Sequence, residues 1–207
     1  REALSRALEL TTQSGDHMEL AAVRQMTGRI DALEHFYQRA IDRYTEAAAE
    51  YALTNQPLLQ GELLLDIADA CYHLAIETKN ADDEAEAIQL ETEDADVLIE
   101  QSTEELQIER LCEPPAQSAS VWLDMVSEAR IAYQRVLDVA RNLDNRELEI
   151  RAQQGLGRVF NWLGDNEQAG EHLVSALADA EDIEVPSLRA SILVDLGLLA
   201  EGRRDRS

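Results

Sequence analysis

An all-α fold, and within that class an α-solenoid of antiparallel helical hairpins, is predicted by three features of the sequence. Apolar residues recur at three- and four-residue intervals nearly throughout, which is the period of one helix face. Glycine is sparse, at 9 of 207 residues, and runs of β-branched residues are absent, so little competes with the helical period. Finally, one apolar stripe returns after forty residues: Ala169, Leu173, Ala176, Leu177, Ala180 and Ile183 are matched by Ala129, Tyr133, Val136, Leu137, Ala140 and Leu143. Leu156-Gly157 likewise recurs as Leu196-Gly197, and Trp162-Leu163 has an earlier counterpart in Trp122-Leu123. A fixed period between about 20 and 50 residues marks stacked units, none of which can bury its apolar face alone.

Residues 1–15 read as the tail of a preceding unit, because "SRALELTTQSGD" has the form of a second helix and its exit turn. The sequence is therefore expected to be an excerpt of a longer protein. A hairpin is expected over 16–56, with Ala21, Gly28, Tyr37 and Ala40 in the places of Gly157, Gly164, Leu173 and Ala176. Pro57 should open the next helix, since proline is tolerated in the first turn. The unit it opens, 57–112, is elongated: "LLQGELLLDIADACYHLAIETK" forms its first helix and 82–111 a long partner. Pro114-Pro115 must end that partner, because proline cannot continue the hydrogen-bond ladder. Further hairpins are expected over 113–144 and 145–184, and 185–207 supplies the first helix of another.

The most regular unit is "LGRVFNWLGDNEQA", residues 156–169. Its Leu156, Gly157, Phe160, Gly164-Asp165 and Ala169, followed by Leu173 and Ala176, resemble the tetratricopeptide repeat, in which small residues sit where two helices approach closely and large ones fill the space beside them. The period of about forty residues exceeds that family's 34, and Gln153 stands where it often has tryptophan. The resemblance implies that first helices line a concave groove, to which Gln154, Arg158, Asn161 and Trp162 contribute. Carried back through the chain, the position of Trp162 falls on Trp122, His73 and Met26, an expected ladder of apolar and aromatic anchors. The competing reading is that each tryptophan seals adjacent units.

Composition narrows the function. Lysine and arginine total 18 against 42 Asp and Glu, a net charge of −24, which disfavours nucleic acid and anionic membrane as partners. Only Lys79 is a lysine, a balance that suits either a high-GC coding bias or concentrated salt, where self-repulsion is screened. Cys71 and Cys112 lack any CxxC or Cys/His spacing and read as buried free thiols. No 18-residue apolar run or signal peptide is present, so a cytoplasmic, non-membrane protein is expected. The twelve carboxylates of 80–109 read as a solvated face. They lack the spacing and central glycine of a calcium loop. Ser14, Ala32, Ala70 and Ala169 stand three residues before the four histidines, so no Glu-x-x-His metal motif exists. Phosphate-loop and GxSxG motifs are also missing.

The expected function is accordingly a non-catalytic scaffold, with no cofactor and no metal, that grips a protein, peptide or helix. Trp122 and Trp162 would be its anchors, Arg158 would reach a carboxylate and Asn161 a peptide backbone. The alternative is a ligand- or partner-sensing arm of a larger signal-transducing or transcriptional regulator; an enzyme built from unpatterned carboxylates ranks last. Uncapped terminal units would also favour self-association.

Overall fold

The structure, a computed structural model, describes residues 2–100 and 118–204, with side chains described over 3–85 and 121–202. Among these residues there are eight helices and no strand: α1 (Glu2–Ser14), α2 (His17–Leu33), α3 (Tyr37–Thr54), α4 (Pro57–Glu100), α5 (Ser118–Asn142), α6 (Arg146–Trp162), α7 (Asn166–Asp182) and α8 (Pro186–Arg204). Cys112, Pro114-Pro115 and the stretch 101–111 lie outside the described residues.

The turns share one construction. A residue in the left-handed region ends the helix, at Gly15, His35, Asn55, Asp144, Gly164 and Glu184. The amide that follows then closes on the carbonyl five residues back in three of them: Phe36 on Asp31 (2.8 Å), Asn145 on Ala140 (2.9 Å) and Asp165 on Phe160 (2.9 Å). Side chains open the next helix. Asp16 accepts from the Met18 and Glu19 amides, Asn145 from Leu148 and Asp165 from Gln168, satisfying donors that have no partner within the helix. Pro57 and Pro186 begin α4 and α8.

Each helix packs on the next, and α2, α4, α6 and α8 also touch one another in succession, whereas among the described residues α1, α3, α5 and α7 do not. The even-numbered helices therefore share a face. The interior is divided among three clusters, one spanning α2–α4, one α4–α6 and one α6–α8, and adjacent clusters meet through half-buried Ile41, Ile67 and Phe160. Between even and odd helices the fit is steric. A Cβ on Gly157 would lie 2.6 Å from Leu173 Cγ, and one on Gly28 would lie 2.5 Å from Tyr44 Cε1. At Gly155 it would fall within the ring of fully buried Tyr133.

Three sequence expectations are corrected. No turn separates a first helix from a partner at 82: α4 is unbroken from Pro57 to Glu100 and pairs with α5. The physical reason is that no glycine or proline occurs between 62 and 113 to stop it. Over 113–144 a single described helix, α5, stands in place of a hairpin. In the first hairpin the register moves by seven residues. Gly28 takes the place of Gly157 and His35, with φ 64°, that of Gly164; Ala40, Tyr44 and Ala47 match Ala169, Leu173 and Ala176. The glycine assigned to the turn is needed inside the helix, where Tyr44 meets it.

Steric fit and helix propensity oppose each other at these glycines, and the structure decides the sign. Gly155→Ala should destabilise the protein: overpacking costs about 1–3 kcal/mol, against about 1 kcal/mol gained in helix propensity. Gly197→Ala, in α8 with nothing near its Cβ position, should instead stabilise it by about 0.5–1 kcal/mol. Thermal unfolding of the two variants checks both signs.

Candidate functional site

Glutamine and arginine one turn apart on an even helix lie on the same face and reach the next even helix together. On α2, Gln25 Nε2 and Arg29 Nε both donate to Asp66 Oδ2 of α4, at 2.7 and 3.0 Å. On α6, Gln154 Nε2 and Arg158 Nε both donate to Asp195 Oδ2 of α8, at 2.5 and 2.9 Å. The separations, 41 and 37 residues, are the same in both clamps. Ser191 Oγ accepts from Gln154 at 2.6 Å and also from Arg158. Gln154 and Asp195 are buried, so these bonds offset the desolvation of the carboxylate. Burial alone would lower the Arg158 pKa, but Asp195 beside it holds the guanidinium above its ordinary value.

A cavity lies against each clamp. The first, about 500 Å³, is lined by Arg29, Tyr37, Tyr44, Asp66, Asp69 and His73. The second, about 370 Å³, is lined by Tyr72, His73, Arg158, Asn161, Asp195 and Leu198. The equivalence is residue by residue, since Arg29, Tyr44, Asp66 and Asp69 stand 129 positions before Arg158, Leu173, Asp195 and Leu198. His73 belongs to both cavities. Their charge differs, because Asp69 in the first is Leu198 in the second. Asp69 Oδ1 accepts from the Tyr133 hydroxyl at 2.5 Å, and desolvation pushes its carboxyl above the ordinary range. His73 stacks on Tyr37 at 5.4 Å between ring centroids, and its desolvation holds it below the ordinary histidine range.

The sequence-predicted residues divide. Gln154, Arg158, Asn161 and His73 converge on the shared face; the carboxylate that Arg158 reaches is Asp195 of its own chain. No hydrogen bond engages the Asn161 side chain among the described residues, and it lines the second cavity. Trp122 and Trp162 do not form a ladder. Trp122 lies near the start of α5, an odd helix, and meets Trp162 edge-to-face at 5.0 Å where antiparallel α5 and α6 pass. Both pack on the α4–α6 cluster, and Lys79 Nζ stands 6.0 Å from the Trp122 ring centroid. Met26 is 50% exposed on α2, and the corrected register makes Leu33, not Met26, the equivalent of Trp162. Sequence reasoning missed Asp66, Asp69, Asp195 and Tyr133. The readable signal was Gln-x-x-x-Arg at 25–29 and 154–158, each followed by aspartate 37 residues after the arginine.

The remaining titratable candidates have structural partners. His17 Nδ1 lies 2.6 Å from Glu50 and His35 Nδ1 3.4 Å from Glu77, while His172 stacks on Phe160. Cys71 is a free, buried thiol whose pKa burial raises to about 11. Among the described residues no three His, Cys, Asp or Glu side chains group to hold a metal, and no helix is long and apolar enough to cross a membrane. Comparison with known proteins finds no family model that matches the chain and no match among curated proteins.

Two predictions follow from this geometry. A double-mutant cycle on Trp122→Leu and Trp162→Leu should return a coupling of about 0.5–1.5 kcal/mol in thermal unfolding, as an aromatic pair in direct contact requires. Asp69 has a folded-state pKa above its unfolded value of about 3.9, so the folded state holds this proton more tightly and stability falls as pH rises between the two values. Asp69→Asn should therefore stabilise the protein at pH 7, with the gain vanishing below the unfolded pKa. Unfolding measured across that pH range checks the sign.

Proposed function

We propose that the chain is a non-catalytic interaction module, an α-solenoid of tetratricopeptide-like hairpins that holds a peptide or helix along the shared face of α2, α4, α6 and α8. The observation that carries this reading is the pair of equivalent cavities on that face, joined at His73. Successive even helices meet there while the odd helices stay apart, which is how stacked hairpins leave a groove along one side. Tyr72 and His73 offer flat apolar surface and Asn161 an uncommitted amide, suited to an extended backbone with an anchor side chain. Arg158 and Gln154 hold the groove's shape through Asp195.

A ligand-sensing arm is the second reading, favoured by cavity volumes of about 370 and 500 Å³, which fall within the range of small-molecule sites, about 300–1,000 Å³. The test is selection of binding peptides from a displayed library, followed by affinity measurement on variants. Tyr72→Ala and Asn161→Ala should each weaken a selected peptide about tenfold, roughly 1.4 kcal/mol. Arg135→Ala, exposed on α5, should leave it unchanged. Peptides that bind both groove variants as tightly as the parent protein would remove the groove reading.

A further inference from the structure

We propose that the cavity between α2, α3 and α4 is a binding site for a single organic cation, an alkylammonium or guanidinium group, with Asp69 as its counter-ion; the proposal rests on the groove reading and names the partner chemistry of that groove. In the corrected register one position of the even helices carries Arg29 on α2, Asp69 on α4, Arg158 on α6 and Leu198 on α8. Where arginine stands, it is neutralised by the aspartate of the next even helix. At α4 the charge is reversed and the partner position on α6 is Gly155, which has no side chain to answer it; the α6 cation that acts on Asp69, Arg158, is already held by Asp195. Tyr133 covers that glycine and gives Asp69 Oδ1 a neutral hydroxyl. No hydrogen bond or ion pair engages Oδ2 among the described residues.

The lining shows the same imbalance. In the second cavity Arg158 and Asp195 cancel and Leu198 adds nothing. In the first, Arg29 and Asp66 cancel, at 2.9 Å, and the Asp69 carboxyl has no ion-pair partner among the described residues. His73 adds no positive charge at pH 7, and His35 is already beside Glu77. Tyr37 and Tyr44 line the walls, and aromatic faces attract a desolvated cation. The volume of about 500 Å³ admits an arginine or lysine side chain or a small amine. The net charge of −24 draws such ligands toward the protein. A bound cation would also favour the ionised form of Asp69, which desolvation now opposes.

The test titrates the whole chain at low ionic strength with butylguanidinium, butylammonium, the neutral analogue pentanol and the tripeptide acetyl-Ala-Arg-Ala-amide, following the His35 and His73 ring resonances. The cations should bind saturably and pentanol should not. Asp69→Asn, which keeps an acceptor for Tyr133, should weaken cation binding at least tenfold while remaining folded by circular dichroism. If peptides are the source of the cation, the tripeptide binds more tightly than butylguanidinium; if free amines are, the small cations bind at least as well. Equal binding by pentanol in the parent protein overturns the proposal even if the variant fails to fold, as does undiminished binding by folded Asp69→Asn or no saturable binding at all. Because the small cations need no peptide, their failure leaves the groove reading standing.

Discussion

The aspartate clamp between even helices is the constraint on which the rest of the arrangement depends. Asp195 is buried and Asp66 half-buried, and a carboxylate withdrawn from water is tolerated best where it is paired and hydrogen-bonded. Each receives both donors from one turn of the preceding even helix, onto the same Oδ2 atom. A slip of either helix by one residue would turn the aspartate from its donors and leave a guanidinium and a carboxylate unpaired. Apolar contact alone resists such a slip less, because leucine and alanine faces exchange neighbours at modest cost. The clamp thus fixes which even residues lie opposite each other, and the cavities inherit their walls from that alignment.

Steric constraint does the complementary work between even and odd helices. Gly28 under Tyr44 and Gly157 under Leu173 set how closely a hairpin closes, and Gly155 under Tyr133 sets how α5 rests on α6. The step from α4 to α6 departs from its neighbours in both respects. Leu65 and Asp69 stand where the other steps have glutamine and arginine, and glycine stands where they have aspartate. Tyr133 takes over, filling the space with its ring and using its hydroxyl on Asp69. At position 69 the carboxylate that should have an arginine across the step has a tyrosine hydroxyl instead.

Much of the architecture was legible because it is local. Helical periodicity, Pro57 and Pro186 at helix starts, and Gly164-Asp165 at a turn are each decided by a few neighbouring residues. The length of α4 was legible too, in the missing glycine and proline after Gly61, although a hairpin was expected there to keep the period regular. The register of the first hairpin was not. A glycine can serve a left-handed turn or a close helix contact; Gly28 serves the second, while His35 adopts the left-handed conformation unaided. Trp122 and Trp162 misled for a related reason. Their forty-residue spacing, read as equivalence along one face, is the spacing at which antiparallel α5 and α6 bring them into contact.

Residues that shape the face are distinct from residues that are free to recognise something. Arg158 and Gln154 looked like ligand-binding groups because they are polar and lie on the correct face, yet the Gln154 amide nitrogen and the Nε and Nη2 of Arg158 are engaged by Asp195 and Ser191. A guanidinium held in that way contributes geometry and little net charge to an incoming partner. What the face still offers is Asn161 without a side-chain hydrogen bond, the rings of Tyr72 and His73, and Asp69 with one oxygen engaged. His73 walls both cavities, so an occupant of one constrains the ring that an occupant of the other must meet. Two contacts spaced along a shared face and joined through one side chain suit an elongated partner better than two independent small ligands, because one chain can meet both at once.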